Sequence, residues 1–356
     1  MNSIENFFEH GVHEKASDIY IVENKPISFK IKGKIIPFSD EILTKTKIKQ
    51  FINDMYILAN RDFSNFKKGD DDFVVQLTLG RFRVNTYLQQ GNFSSVVRIV
   101  PLHIPDYHDL KIPQTIMDLS NKKRGLILFT GTAGSGKSTS MACVIDKINQ
   151  DRTNHIITIE EPIEYIHSHK KSIISQREIG TDTENYSSAL RAAMRQAPDV
   201  ILVGEMRDQE TISSTVTAGE TGHLVFSTLH TIGASATIDR IIDSFPASQQ
   251  NQIMSQLAAT LQAVVSQQLI PTLDGSLHPV YEIMIVNNPI RNLIREGKTF
   301  QIDNIIQTSS KLGMQTMDSS ILNLLKKGII SKEEAFNHAV NQNLIGIGNV
   351  AKPHEV

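Results

Sequence analysis

The sequence predicts an α/β protein, with a parallel sheet and a phosphate-binding turn following a smaller mixed α/β domain. Three observations predict it. Residues 126–129, Leu-Ile-Leu-Phe, have the length of a buried strand, residues 131–139 form a glycine-rich turn, and residues 140–148 read as a helix. Three further apolar runs, at 156–159, 200–203 and 224–227, are each followed by ionisable residues, as strands that deliver side chains to a ligand are. The first hundred residues instead show short strand signals around one helix.

The chain has 356 residues, 40% of them hydrophobic, enough for one large core or two ordinary ones. Its 36 basic and 38 acidic residues leave a net charge of −2, which argues against a nucleic-acid partner. Cys143 is the single cysteine, so an intrachain disulfide and a four-Cys zinc site are excluded. One turn inside the helix after the glycine-rich turn, it reads as a small core residue in a reducing compartment. Met1-Asn-Ser-Ile-Glu-Asn-Phe-Phe-Glu9 has no basic segment leading into an apolar one, and no signal peptide is expected. No apolar run reaches the roughly 18 residues of a membrane span. A cytoplasmic protein without a transmembrane segment is expected.

In the first domain, strands are expected at 18–22, 27–31, 34–36, 72–77, 81–88 and 94–100, divided by Asn24-Lys-Pro26 and Gly33. Ile48, Phe51, Ile52, Met55 and Leu58 place a helix at 43–59. Along the strand from Arg81, Phe82, Val84, Thr86 and Leu88 share one face, and Arg81, Arg83, Asn85 and Tyr87 the other. Exposed arginines are usually just solvated. The alternative is an anion contact in a neighbouring subunit, where an arginine can add about 10³–10⁵ to phosphoryl-transfer rates. Arg98, between Val96 and Val100 on its face, needs a partner for its guanidinium. Three prolines between 101 and 113 interrupt regular structure. A linker is therefore expected at 101–120, joining domains at 1–100 and 121–345, with a disordered tail at 346–356.

Gly131, Thr132, Ala133, Gly134, Ser135, Gly136, Lys137, Ser138 and Thr139 fit G-x-x-x-x-G-K-[ST] between a strand and a helix. Backbone N–H groups and the helix N-terminus would cradle the phosphates of a nucleoside triphosphate such as ATP. Lys137 would reach the β/γ-phosphates, and Ser138 would hold Mg²⁺. After the next strands come Glu160-Glu161-Pro162, then Gly204-Glu205, then Thr228-Leu-His230, with His223 ahead of the last strand. A carboxylate here can orient the attacking water, and an imidazole can sense the γ-phosphate. Asp would be ordinary at 204, so Glu205 is left to serve Mg²⁺ alone, directly or through water. His103, His108, His155, His167, His169 and His278 lack such placement and read as surface or structural. Residues 246–268 carry Ile253, Leu257, Leu261, Val264 and Val265 at helical spacing, predicting one long core helix. From Pro289, with Asn287 and Asn288 as cap candidates, Ile290, Leu293 and Ile294 make the apolar stripe of another helix.

Here the chain resembles a known family. Thr158-Ile-Glu-Glu-Pro-Ile-Glu164 is similar to the Asp box of the type IV pilus and type II/IV secretion ATPases. Leu202-Val-Gly-Glu-Met-Arg-Asp208 resembles their Walker B segment, and Thr221-Gly-His-Leu-Val-Phe-Ser-Thr-Leu-His-Thr231 their His box. Asn288-Pro-Ile-Arg-Asn-Leu-Ile-Arg-Glu296 and Gly313-Met-Gln-Thr-Met-Asp318 resemble the retraction branch. The resemblance spans nearly the whole chain, with Glu161, Tyr20 and Pro289 departing from the usual Asp, His and Ala.

It implies a RecA-like P-loop core, a small PAS-like N-terminal domain, and a homohexamer that hydrolyses ATP with Mg²⁺ to retract pili in twitching motility. Glu160 would be the water-activating carboxylate, Glu205 the Walker B glutamate, and His223 and His230 the His-box pair. Arg81, Arg83 and Arg98 would be the candidates to reach a nucleotide from the first domain. Arg291, Asn292, Arg295 and Glu296 would face a pilus-machine partner. The implied partners are further copies of the chain, an inner-membrane platform protein and a sister retraction ATPase, at the inner face of the cytoplasmic membrane. Pilus assembly or protein export is the alternative motor. A nucleic-acid translocase is disfavoured by charge, and a non-hydrolysing subunit by the intact Lys137, Glu160, Glu205 and His230.

Overall fold

The computed structural model describes residues 3–31, 33–66, 69–100 and 104–346. They divide into two compact units, Met1–His103 with Glu164–Ile166, and Ile104–Ile163 with His167–Val356.

The first unit begins with α1 (Ile4–His13), which the strand-dominated expectation missed. Ile4, Phe7 and Phe8 are buried at helical spacing, but the helix is short and Ser3 makes no side-chain cap, so the boundary signal is weak. Then follow β1 (Asp18–Ile21), β2 (Ser28–Ile31), β3 (Lys34–Pro37), α2 (Lys45–Leu58), β4 (Asp70–Leu77), β5 (Gly80–Gln89) and β6 (Asn92–Val100). Thr44 caps α2 by accepting from the Lys47 amide. The strands form a six-stranded sheet in the order β3-β2-β1-β6-β5-β4, and each neighbouring pair is antiparallel. On β5 the expected alternation holds as far as Tyr87, with Phe82, Val84 and Thr86 buried and Arg81, Arg83, Asn85 and Tyr87 half-buried opposite, while Leu88 is exposed. Phe82 stacks on Phe8 at 4.3 Å between centroids.

The second unit opens where a linker was expected. Among residues 104–120, α3 (Gln114–Met117) and the 3₁₀ turn after it bury Ile116, Met117 and Leu119, along with Ile112 just before, in one core with Val144, Ile145 and Ile148. Pro113 serves as the N-cap residue of α3, so that proline starts an element where a break was read. The chain continues through β7 (Gly125–Thr130), α4 (Lys137–Asp151), β8 (His155–Glu160), β9 (Ile173–Glu178), α5 (Tyr186–Ala193), β10 (Val200–Val203), α6 (Gln209–Glu220), β11 (Leu224–Leu229), α7 (Ala234–Asp243) and α8 (Ala247–Thr260).

Here the expected long helix ends. Residues 261–271 are β12 (Leu261–Pro271), hairpinned to β13 (Leu277–Ile285). β12 lies between β7 and β13 and is buried on both faces, so its apolar run lacks the alternation that distinguishes a strand from a buried helix. The seven-stranded sheet runs β13-β12-β7-β11-β10-β8-β9, parallel except at β13. α9 (Asn288–Arg295), α10 (Ile302–Thr308), α11 (Met317–Lys326), α12 (Lys332–His338) and α13 (Gln342–Gly346) complete it. The tail expected to be disordered lies outside the described residues, except Gly346, which closes α13. No helix among the described residues is long and apolar enough to cross a membrane.

Candidate nucleotide site

Parallel pairing puts the carboxyl ends of β7, β11, β10 and β8 on one edge, with Thr130 opposite Leu229, Ser227 opposite Val203, and Val203 opposite Ile159. Whatever follows these strands converges on that edge.

After β7 comes the glycine-rich turn. Gly131, Gly134 and Gly136 have φ of 138°, 76° and 87°, conformations costly for any residue with a Cβ. Space forbids one as well. A Cβ at 131 would lie 2.2 Å from the Gln267 carbonyl oxygen, and one at 136 would lie 2.8 Å from Gln267 Nε2. β12 is therefore packed directly under the turn. Gln267 also accepts from Ser140 Oγ of α4 at 2.9 Å. Thr132, Ala133 and Gly134 are exposed, Ser138 and Thr139 half-buried. Lys137 is buried, and its Nζ donates to the carbonyls of Gly131 and Thr132 at 2.8 Å each. Ser135 Oγ is buried without a hydrogen-bond partner among the described residues, a polar atom a phosphate oxygen would satisfy. Burial pushes the Cys143 thiol up to about 12, and Sγ donates to the Pro105 carbonyl. It is an inert core group.

At the end of β8, Glu160 is half-buried and accepts from Gln176 Nε2 at 3.3 Å. After β10, Glu205 is 8% exposed. Its Oε1 pairs with Arg207 at 2.5 Å, and its Oε2 meets His230 Nε2 at 3.2 Å. Arg207 also lies 3.9 Å from Glu161. The charge-assisted bond to Glu205 holds the Arg207 guanidinium above its usual value. Sequence reasoning gave Arg207 no role, although two residues apart in extended backbone is the spacing that puts two side chains on one face.

The glycine before Glu205 also has a physical reason. A Cβ at 204 would meet the Tyr186 hydroxyl at 2.9 Å, the Ile159 carbonyl at 3.2 Å and Glu160 Cα at 3.3 Å. No aspartate fits there without moving β8. Burial first, then Glu205 and Glu161, keeps the Tyr186 hydroxyl protonated well beyond its usual range.

His230 sits at this edge and His223 does not. The six residues of β11 separate them, about 20 Å at the rise of a strand. His223 Nδ1 is 3.0 Å from the Ala218 carbonyl. It lines a separate hollow at the opposite end of the sheet with Lys123, Arg152 and Asp199. The His-box pair is thus divided between two ends.

The candidate arginines lie on the first unit's sheet. Arg83 and Arg98 face each other across β5 and β6. Each is tied to an acid: Arg98 Nε donates to buried Asp18 at 3.2 Å, and Arg83 lies 3.8 Å from Asp72. Arg81 is two residues before Arg83, opposite Val100. On α9, Asn287 accepts from the Ile290 amide, with Pro289 in the first turn, as expected. Arg291, however, donates to the Ala258 and Ala259 carbonyls at the end of α8. Asn292, Arg295 and Glu296 are exposed.

The family model described as type II/IV secretion system protein matches residues 1–279. The chain belongs to this family. It is 43% identical over 321 residues to the type IV pilus retraction ATPase PilT of Pseudomonas aeruginosa, covering 90% of this chain and 93% of that one. It is 47% identical over 272 residues to a twitching motility protein of Neisseria gonorrhoeae, covering 76% and 73%. The crystal structure of the pilus retraction motor PilT with bound ADP matches with a TM-score of 0.89 at 40% identity, covering 97% of this chain and 99% of that one. The second unit is accordingly a RecA-like core, preceded by an N-terminal domain.

Proposed function

We propose that this chain is an ATPase motor that powers type IV pilus retraction. The observation that supports it best is the convergence of Lys137, Glu160, Glu205 and His230 at one sheet edge, in a chain similar along nearly its whole length to a retraction ATPase. The turn at 131–139 and the N-terminus of α4 take the phosphates of ATP, and Lys137 exchanges its carbonyl partners for the β/γ-phosphates. The Ser138 hydroxyl and Glu205 carboxylate are hard oxygen donors suited to Mg²⁺. No group of three or more His, Cys, Asp and Glu among the described residues could hold a metal alone, so the phosphates complete the set. When bound, Mg²⁺ supplies charge neutralisation on the phosphate oxygens.

Glu160, steadied by Gln176, orients the attacking water, and His230 reports the γ-phosphate to Glu205. Arg83 and Arg98, adjacent on one sheet face, act with Arg81 on the nucleotide of a neighbouring copy in a homohexamer. The motor works in the cytoplasm against the inner face of the membrane. It presents Asn292, Arg295 and Glu296 to a platform protein and shares the work with a sister ATPase. ATP hydrolysis by purified protein tests the site. Lys137→Ala and Glu205→Gln lose nearly all turnover, and a variant that keeps wild-type turnover removes its residue from the site. DNA leaves the rate unchanged.

A further inference from the structure

Glu160 ends β8, Glu161 follows it and Glu205 follows β10, a neighbouring strand aligned with β8 at Ile159 and Val203. Three carboxylates this close repel unless cations lie among them. His230 takes one oxygen of Glu205, and Arg207 takes the other while lying within 3.9 Å of Glu161. Both oxygens of the proposed Mg²⁺-side carboxylate are thus engaged, one of them by a permanent cation.

The pair is lopsided. The Glu205 side chain is 11% exposed and the Arg207 side chain 66%. Glu205 is held by the fold, whereas the guanidinium reaches it from solvent on a flexible stem. Releasing such an arginine costs little once another cation takes its place on Glu205, because water solvates the freed head and the buried carboxylate keeps a counter-ion. Releasing Glu205 from its surroundings would not be cheap.

We infer that Arg207 is a positioning residue, an exchangeable counter-ion that holds Glu205 and Glu161 together and yields Glu205 to the divalent cation arriving with nucleotide. It keeps the acidic edge assembled and raises the Mg²⁺ concentration needed to load it, since two cations compete for one carboxylate. This rests on the assignment of Glu205 to Mg²⁺.

The test is equilibrium binding of a fluorescent ADP analogue to the full-length protein, titrated with Mg²⁺ and repeated in EDTA, for wild type, Arg207→Gln and Arg207→Lys. Arg207 is mostly exposed, so the variants retain the fold. Wild type requires Mg²⁺ for tight binding. Arg207→Gln reaches half-saturation at several-fold lower Mg²⁺ with its affinity in EDTA unchanged, and Arg207→Lys stays near wild type. An unchanged or higher Mg²⁺ requirement in Arg207→Gln overturns the counter-ion role alone. Weaker binding in EDTA makes Arg207 a phosphate contact and also overturns it. A wild type indifferent to Mg²⁺ overturns the metal assignment of Glu205, and this inference with it.

Discussion

At position 204 a single methyl group decides whether β8 and β10 can keep their spacing. In the sequence, Gly204 read as a departure from the usual acidic residue. In the structure, a side chain there has Tyr186 on one side and the backbone of Ile159 and Glu160 on the other. Gly204→Ala is expected to cost about 1–3 kcal/mol of stability, the usual penalty for overpacking, read from urea denaturation. An unchanged midpoint would mean that Tyr186 moves aside freely. His167 supplies a second residue-scale prediction. Burial lowers its pKa from 6.5 to about 4, Asp146 and Lys170 being lesser influences in opposite directions. Below pH 6.5 the unfolded chain binds a proton that the folded one refuses, so stability is lost as pH falls from 6.5 toward about 4. Between pH 7 and pH 5 wild type should lose about 2 kcal/mol more than His167→Gln. Equal losses in the two proteins would contradict the burial of that ring. Neither effect was legible in the sequence, because both depend on what a distant segment places beside the residue.

At the scale of the element, α9 shows why a motif read as one surface need not act as one. Its start was legible from Asn287 and Pro289, since capping is local chemistry. Its polar face was not, because one arginine turns back onto another helix. Arg291 satisfies the last carbonyls of α8, groups that a helix end otherwise leaves unpaired. Arg291→Ala should therefore cost about 1–2 kcal/mol of stability, while Arg295→Ala, with an exposed side chain, should leave the denaturation midpoint unchanged. The reverse order would return Arg291 to the partner surface. The same contrast of local and distant signals explains the boundary between α8 and β12. Ile253 and Leu257 carry helical spacing, but from Leu261 onward burial comes from β7 and β13, which no local pattern announces.

For the whole molecule, the parallel sheet makes a handful of short motifs into one site. Each apolar run before an ionisable residue was legible as a strand end, so Lys137, Glu160, Glu205 and His230 could be named together from sequence. His223 and His230 already stood on either side of an expected strand, and only the family resemblance joined them as a pair, which the six residues of β11 divide. Arg207 was passed over because its worth depends on the other oxygen of Glu205 being taken. The first unit's sheet likewise gives Arg83 and Arg98 a shared face, yet provides each with an acid of its own. Any action on a neighbouring nucleotide must compete with Asp72 and Asp18. The motor reading stands or falls on what this edge accomplishes in the cell. Counting surface pili on cells lacking the gene, complemented with wild type or with Glu205→Gln, tests it most directly. The deletion is expected to carry excess, non-retracting pili, corrected by wild type but not by Glu205→Gln. Loss of pili in the deletion, or full correction by Glu205→Gln, would contradict it.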